Sequence, residues 1–272
     1  MALRLSFTNL IESTAASILA ASHQTSNFCS SQAQQPQRPF LPWRAPTTST
    51  ADLIIDLGSS QTVGVIAVIN ANFASASLQG ASSSGGIFAA PTCGSYNEAV
   101  TITQDPWSGR YQHVHYSTGF GYRYVRLKIP GQSPVDGATS TYYALGGLWA
   151  GTLSTTPDHF AVSPTIQIML PREDAQPSHG GWRQRSQLGD PQVQIDAVLK
   201  SQTCGGSPAN TDDLDTWRSL ERSMWTADYF LLALNLGDLA QTWIARSLDD
   251  PQWTVSPGVS EGRLTLEEVT GP

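Results

Sequence analysis

Residues 51 to 70 place two apolar segments back to back, and few folds can hold such a run. In ADLIIDL, residues 51 to 57, Leu53, Ile55 and Leu57 fall on one side of an extended chain. Gly58 to Gln61 then form a turn. The next segment, VGVIAVIN from Val63 to Asn70, carries β-branched residues on both faces. A strand that is apolar on both faces needs a packed layer on each side. This stretch therefore predicts two central strands of a sheet sandwich, with Val65 and Ile69 shielded from water.

The flanking sequence supplies more strands. Residues 2 to 8, ALRLSFT, alternate Leu3, Leu5 and Phe7 with mostly polar neighbours. From Ser22 to Pro46 the chain is rich in Ser, Gln and Pro, and Pro36, Pro39, Pro42 and Pro46 each lack a ladder donor, which predicts an extended connection or surface arm. Residues 71 to 99 are dominated by Ala, Ser and Gly, with SSSGG at 82 to 86, and read as loops between short strands. RYVRLKI, from Arg123 to Ile129, sets Tyr124, Arg126 and Lys128 against Val125, Leu127 and Ile129, the pattern of a half-buried strand. In YYALGGLWAGTL, Tyr142 to Leu153, the Gly146-Gly147 pair predicts a bulge inside a strand.

Beyond this first lobe, TIQIML at 165 to 170 and QVQIDAVL at 192 to 199 alternate cleanly and are expected to pair. One helix is expected over 211 to 225. Thr211 is its N-cap, Asp212 and Asp213 lie in the first turn, and Leu214, Trp217, Leu220, Met224 and Trp225 form its buried stripe. YFLLALNL, 229 to 236, and RLTLEEV, 263 to 269, complete the strands. Pairing of residues 3 to 7 with 264 to 269 would make the first lobe an insertion in the second. No repeat of fixed period is visible, which argues against solenoids and propellers.

Charge and cysteine usage exclude several classes of function. Only 14% of the residues are charged, against about 25% in an average soluble protein, so the surface is largely neutral polar and suits a subunit packed among others. A net charge of -7 leaves no obvious basic surface for nucleic acid. Cys29, Cys93 and Cys204 form no CxxC pair and are too few for a disulfide framework, which predicts synthesis in a reducing compartment. Asn9 and Glu12 interrupt the apolar N-terminus, so no cleaved signal is expected. No apolar run approaches the roughly 20 residues that span a bilayer.

Catalytic signatures are thin. The histidines are His23, His113, His115, His159 and His179, and no Gly-x-Ser-x-Gly elbow accompanies them. His113 and His115 share a strand face, a metal-compatible spacing that reads better as ordinary strand. Asp212, Asp213 and Asp215 read as helix-start charge, while Asp190, Asp249 and Asp250 read as turn residues. GASSSGG at 80 to 86 lacks the lysine of a phosphate loop and is expected to be a flexible loop. No enzyme activity, metal or cofactor is expected. Aromatic faces can stack on sugars, and Trp107, Arg110, Tyr111 and Tyr116 form the candidate glycan patch; Trp43 is assigned to the core, and Trp217 and Trp225 to helix packing.

The stretch PWRAPTTSTADLIIDLGSSQTVGVIAVINAN, Pro42 to Asn72, resembles the discoidin or coagulation-factor type C family, a galactose-binding-like jelly roll. Trp43, Asp56-Leu57-Gly58, Val63 to Ile69 and Asn70 match it, with YRYVRLKI at Tyr122 to Ile129 as the closing strand. Within that family the likeness is to domains of siphophage tail-tip and baseplate proteins, where a strand like ALGGLWAGTL and a β-rich region follow. The disulfide that staples extracellular members has no counterpart here. The resemblance implies a mainly β chain: a strand and arm at 1 to 30, a jelly-roll sandwich at 31 to 156, and a β-rich assembly lobe with one short helix at 157 to 272. It further implies a virion component made in the host cytoplasm, assembling with itself in a ring and with other tail proteins. The alternative is a carbohydrate-binding module that contacts host surface glycan; neither reading involves nucleic acid or a membrane.

Overall fold

The computed structural model describes residues 4–20, 26–38, 41–88, 96–104, 111–135, 140–154, 165–169, 172–175, 184–187, 192–202, 213–233, 242–248, 252–256 and 259–269. Its strands in the first part of the chain are β1 (Arg4–Ser6), β2 (Ser17–Ala20), β3 (Trp43–Arg44), β4 (Ala51–Ala71) and β5 (Ser75–Ala81), then, after helix α1 (Ser84–Phe88), β6 (Tyr96–Thr101), β7 (Thr103–Gln104), β8 (Tyr111–Ile129) and β9 (Ala144–Gly151). The second part holds β10 (Thr165–Met169), β11 (Arg172–Ala175), β12 (Gln184–Gln187) and β13 (Gln192–Gln202), helix α2 (Asp213–Thr226), then β14 (Phe230–Ala233), β15 (Thr242–Ser247), β16 (Gln252–Ser256) and β17 (Val259–Glu268). The protein is mainly β, and every strand pairing is antiparallel.

The expected pair of strands at 51 to 70 is one bent strand, β4, laddered along its length to β8. In place of a turn, the register shifts between Asp56 and Gln61, and Gly58 takes φ +83° there. A side chain at Gly58 would be strained in that conformation, and its Cβ would lie 2.9 Å from the Ala15 carbonyl oxygen. On one side of the bend β4 and β8 pair with β2 and β5, and beyond it β4 pairs with β9. Leu53, Ile55, Val125 and Leu127 from the first part meet Ile66, Val68, Leu145 and Leu148 from the second in one buried core, which closes the jelly-roll sandwich.

In the second half of β4, Ile66 and Val68 face the sandwich core. Val65, Ala67 and Ile69 face outward and pack with Trp149 against Leu231 of β14 and Ile244 of β15. The other sheet, β1-β14-β15-β17-β13-β10 with β16 beside β17, thus covers the outer face of this strand. That sheet has its own core, where Leu5, Phe230, Trp243, Leu264 and Leu266 pack with Leu220 and Met224 of α2. β10 and β13 pair as expected, Thr165 opposite Asp196.

The chain enters this second sheet first, leaves to build the sandwich, and returns. β1 pairs with β14, Leu5 opposite Leu232, and not with the terminal strand β17, which lies three places along the sheet. Residues just after β1 tie the two lobes. The Trp149 indole N–H donates to the buried Ser6 hydroxyl at 3.0 Å, Asn9 accepts from Ala150 N–H at 3.1 Å, and Leu10 N–H donates to the Ala150 carbonyl at 2.7 Å. At the same junction the Tyr229 hydroxyl donates to the Glu12 carboxylate.

Five local expectations differ from the structure. The Ser/Gln/Pro stretch is not a surface arm where it is described. Its 3-10 turns at Ser26–Phe28 and Ser30–Gln34 lie on the sandwich with Ala33 and Pro36 buried. Gly147 is what admits them, since a Cβ there would sit 2.4 Å from Pro36 Cα. Hence Gly146-Gly147 marks a close approach and no bulge, and β9 keeps one register with β4 from Leu145 to Gly151. Residues 80 to 86 are not a loop: Gly80 and Ala81 end β5, with Gly80 against the rings of Phe120 and Tyr122, and Ser84 begins α1. Ile87 of that helix covers Ile54, Ala81 and Tyr124, so the face of β8 expected in solvent is buried. Finally, Trp225 is 74% exposed, because at about 100° per residue it falls well off the Leu220–Met224 line. The side chains of Leu214 and Trp217 lie outside the described residues.

Candidate functional site

The expected glycan patch is only partly visible. Trp107 and Arg110 lie outside the described residues. Tyr111 begins β8 opposite Ala71 and Gln104, half-buried against the sandwich core. Tyr116 pairs with Val65, and its side chain is outside the described residues. His113 and His115 stand opposite Val68 and Ile66 in the same ladder. Among the described residues no group of three or more His, Cys, Asp or Glu is placed to hold a metal ion.

Two arginines of β8, one buried and one half-exposed, are held by acceptors of the fold itself. Arg126 is buried, donating to Asp52 at 2.9 Å, to the Gln79 side-chain oxygen at 3.3 Å and to the Ile87 carbonyl at 3.4 Å. Gln79 in turn donates to Asn97 at 2.9 Å. Arg123 forms two bonds to Asp56, both 2.7 Å, and the Gly58 N–H adds a third at 2.8 Å. Hydrogen bonding from Arg123 holds the Asp56 carboxyl below its ordinary range, and the same pairing raises Arg123. These groups staple β4, β5, β6 and β8 together.

Arg44 is different. Strand β3 pairs Trp43 with Leu145 and Arg44 with Ala144, and alternation sends Trp43 into the core and Arg44 to the surface. There the guanidinium packs on two rings, with its Cζ 3.6 Å from the centroid of Phe28 and 4.6 Å from that of Tyr142. Phe28 is delivered by the 3-10 turns that rest on β9, and Tyr142 by the residues entering that strand. Tyr143, next in the chain, anchors this entry from below: its hydroxyl takes the Gln132 N–H at 2.7 Å and reaches the Thr48 carbonyl at 2.5 Å.

The Arg44 Nε is buried with no hydrogen-bond partner. Among the described residues its guanidinium also has no ion pair. The local sequence supplies none nearby in the chain, since no Asp or Glu occurs between Glu12 and Asp52 while Arg38 and Arg44 do. A cation held against two aromatic rings, on a chain of net charge -7, can donate from its planar edge to the oxygens of a ligand. Sequence reading missed this trio. Its members lie far apart in the chain, and the one legible signal was the carboxylate-free stretch around Arg44.

No protein-family model and no curated protein sequence matches the chain. Solved structures similar to it include chitosan-binding module 1 from a chitosanase/glucanase of Paenibacillus sp. IK-5, at 21% identity and a TM-score of 0.37, covering 53% of this chain and 99% of that one. The lectin domain of lectinolysin, complexed with Lewis B antigen, matches at 11% identity and a TM-score of 0.38, over 53% of this chain and 96% of that one. Reduced XRCC1, bound to the DNA pol beta catalytic domain, matches at 14% identity and a TM-score of 0.36, over 50% of this chain and 94% of that one.

Proposed function

We propose that the chain is a non-catalytic binding protein whose β-sandwich contacts carbohydrate through Phe28, Arg44 and Tyr142. The observation that supports this reading is a guanidinium packed on two aromatic rings, with no ion pair among the described residues. Sugar recognition needs that combination, because a pyranose offers an apolar face to a ring and hydroxyl or acid oxygens to a planar donor. Tyr142→Ala is expected to weaken polysaccharide binding at least about tenfold, with little change in melting temperature since the ring is partly exposed. Affinity electrophoresis across a panel of neutral and charged polysaccharides measures it. Wild-type protein that none of them retards overturns the reading.

A second reading keeps the chain as an assembly subunit of a bacteriophage tail tip or baseplate, made in the host cytoplasm and carried in the virion. It is favoured by one feature: among the described residues, β10 closes its sheet with a partner on one side only, and Thr165–Met169 carries neither charge nor proline to guard the edge. Light scattering of the pure protein separates the readings, since a ring subunit should be multimeric at micromolar concentration.

A further inference from the structure

We infer that the Phe28, Arg44 and Tyr142 site selects a sugar bearing a carboxylate, a uronic acid residue being the simplest case. This rests on the proposed carbohydrate contact and narrows its ligand. Arg126, Arg123 and Arg246 are each matched with a carboxylate of the same chain, Asp52, Asp56 and Glu267. Arg4, Arg38 and Arg44 have no such carboxylate among the described residues, and of these three Arg44 is the one packed on two aromatic rings.

An unpaired cation in this position is costly to keep for a neutral ligand. A sugar hydroxyl can be held equally well by an amide or another hydroxyl, whereas a planar fork with delocalised charge matches two coplanar oxygens of a carboxylate. The surroundings favour an anion too. No acidic residue occurs from position 13 to position 51, while Arg38 adds a second positive charge to that stretch. Ring contacts on the guanidinium fix its plane before ligand arrives, so little side-chain freedom is lost on binding. The rings themselves supply a surface for the pyranose face. A carboxylate sugar uses the charge, the planar fork and the rings at once, and a neutral sugar leaves the charge unmatched.

Three soluble polymers of related sugars test this: polygalacturonate, neutral galactan and a sulfated galactan, each run with EDTA present. Polygalacturonate is expected to bind at least about tenfold tighter than galactan, and its binding is expected to weaken as sodium chloride is raised from 0.05 to about 0.5 M. Arg44→Gln should remove that preference, leaving polygalacturonate no better than galactan. Arg44→Lys, which keeps the charge but not the planar fork, should retain only part of it. The polymer comparison on unaltered protein stands even if a variant misfolds. Equal binding of galactan and polygalacturonate, or preference for the sulfated polymer, overturns the inference while leaving the carbohydrate reading in place. Failure to bind any of the three, together with failure to bind any panel polysaccharide, overturns both.

Discussion

Trp149→Ala is expected to reduce the unfolding free energy by roughly 4 to 6 kcal/mol and to let the two lobes unfold in separate steps. The indole is essentially buried and packs between Val65, Ala67 and Ile69 of the sandwich and Leu231 and Ile244 of the other sheet. Removing it costs roughly 3 to 5 kcal/mol in lost burial and cavity. The Ser6 hydroxyl loses its indole donor in the bargain, which adds about 1 kcal/mol because that group stays buried. Tyr229, whose ring meets the indole edge-on at 6.1 Å, is loosened as well. Urea denaturation followed by far-ultraviolet circular dichroism measures both effects. Trp149→Phe, which keeps most of the apolar volume, should lose less than half as much, and a loss below about 1.5 kcal/mol for Trp149→Ala would mean the lobes are joined elsewhere.

Trp43→Ala has the second largest expected effect, about 3 to 5 kcal/mol, or a melting temperature lower by about 10 °C. Its ring is fully buried in the sandwich core. The functional consequence reaches further, because β3 has only two residues and Trp43 holds Arg44 in register on β9. Carbohydrate binding should therefore fall with Trp43→Ala although the ring faces away from the ligand. Tyr142→Ala should instead lose binding with its stability intact. Differential scanning calorimetry beside affinity electrophoresis distinguishes the two, and a Trp43→Ala protein that binds as well as the parent would detach Arg44 from the site.

Period-two alternation is a reliable guide where one face of a strand is wet, and it located β10, β13 and β17 from residues alone. The run from Val63 to Ile69 was equally legible as doubly buried, but what covers its outer face was not, since Leu231 and Ile244 are distant in the chain. Glycine misled the reading twice. At Gly80 and Gly147 the residue serves a neighbour's approach, by Phe120 in one case and Pro36 in the other, and composition cannot separate that use from a flexible loop. The candidate site was least visible, because a guanidinium's partners are a matter of three-dimensional placement. Trp225 follows Met224 by one residue, and that step of about 100° turns it out of the stripe that the approximate spacing suggests.

The pairing of β1 with β14 sets a timetable for synthesis. Leu5 emerges from the ribosome early, yet its partner Leu232 appears only after the whole sandwich has been made, a wait on the order of ten seconds or more at ordinary elongation rates. Until then the outward face of β4 lacks Leu231 and Ile244, and the backbone of Arg4–Ser6 has only its bridge from Leu5 to Ser154. The nascent chain is thus most exposed to wrong partners just when its first lobe is already able to close.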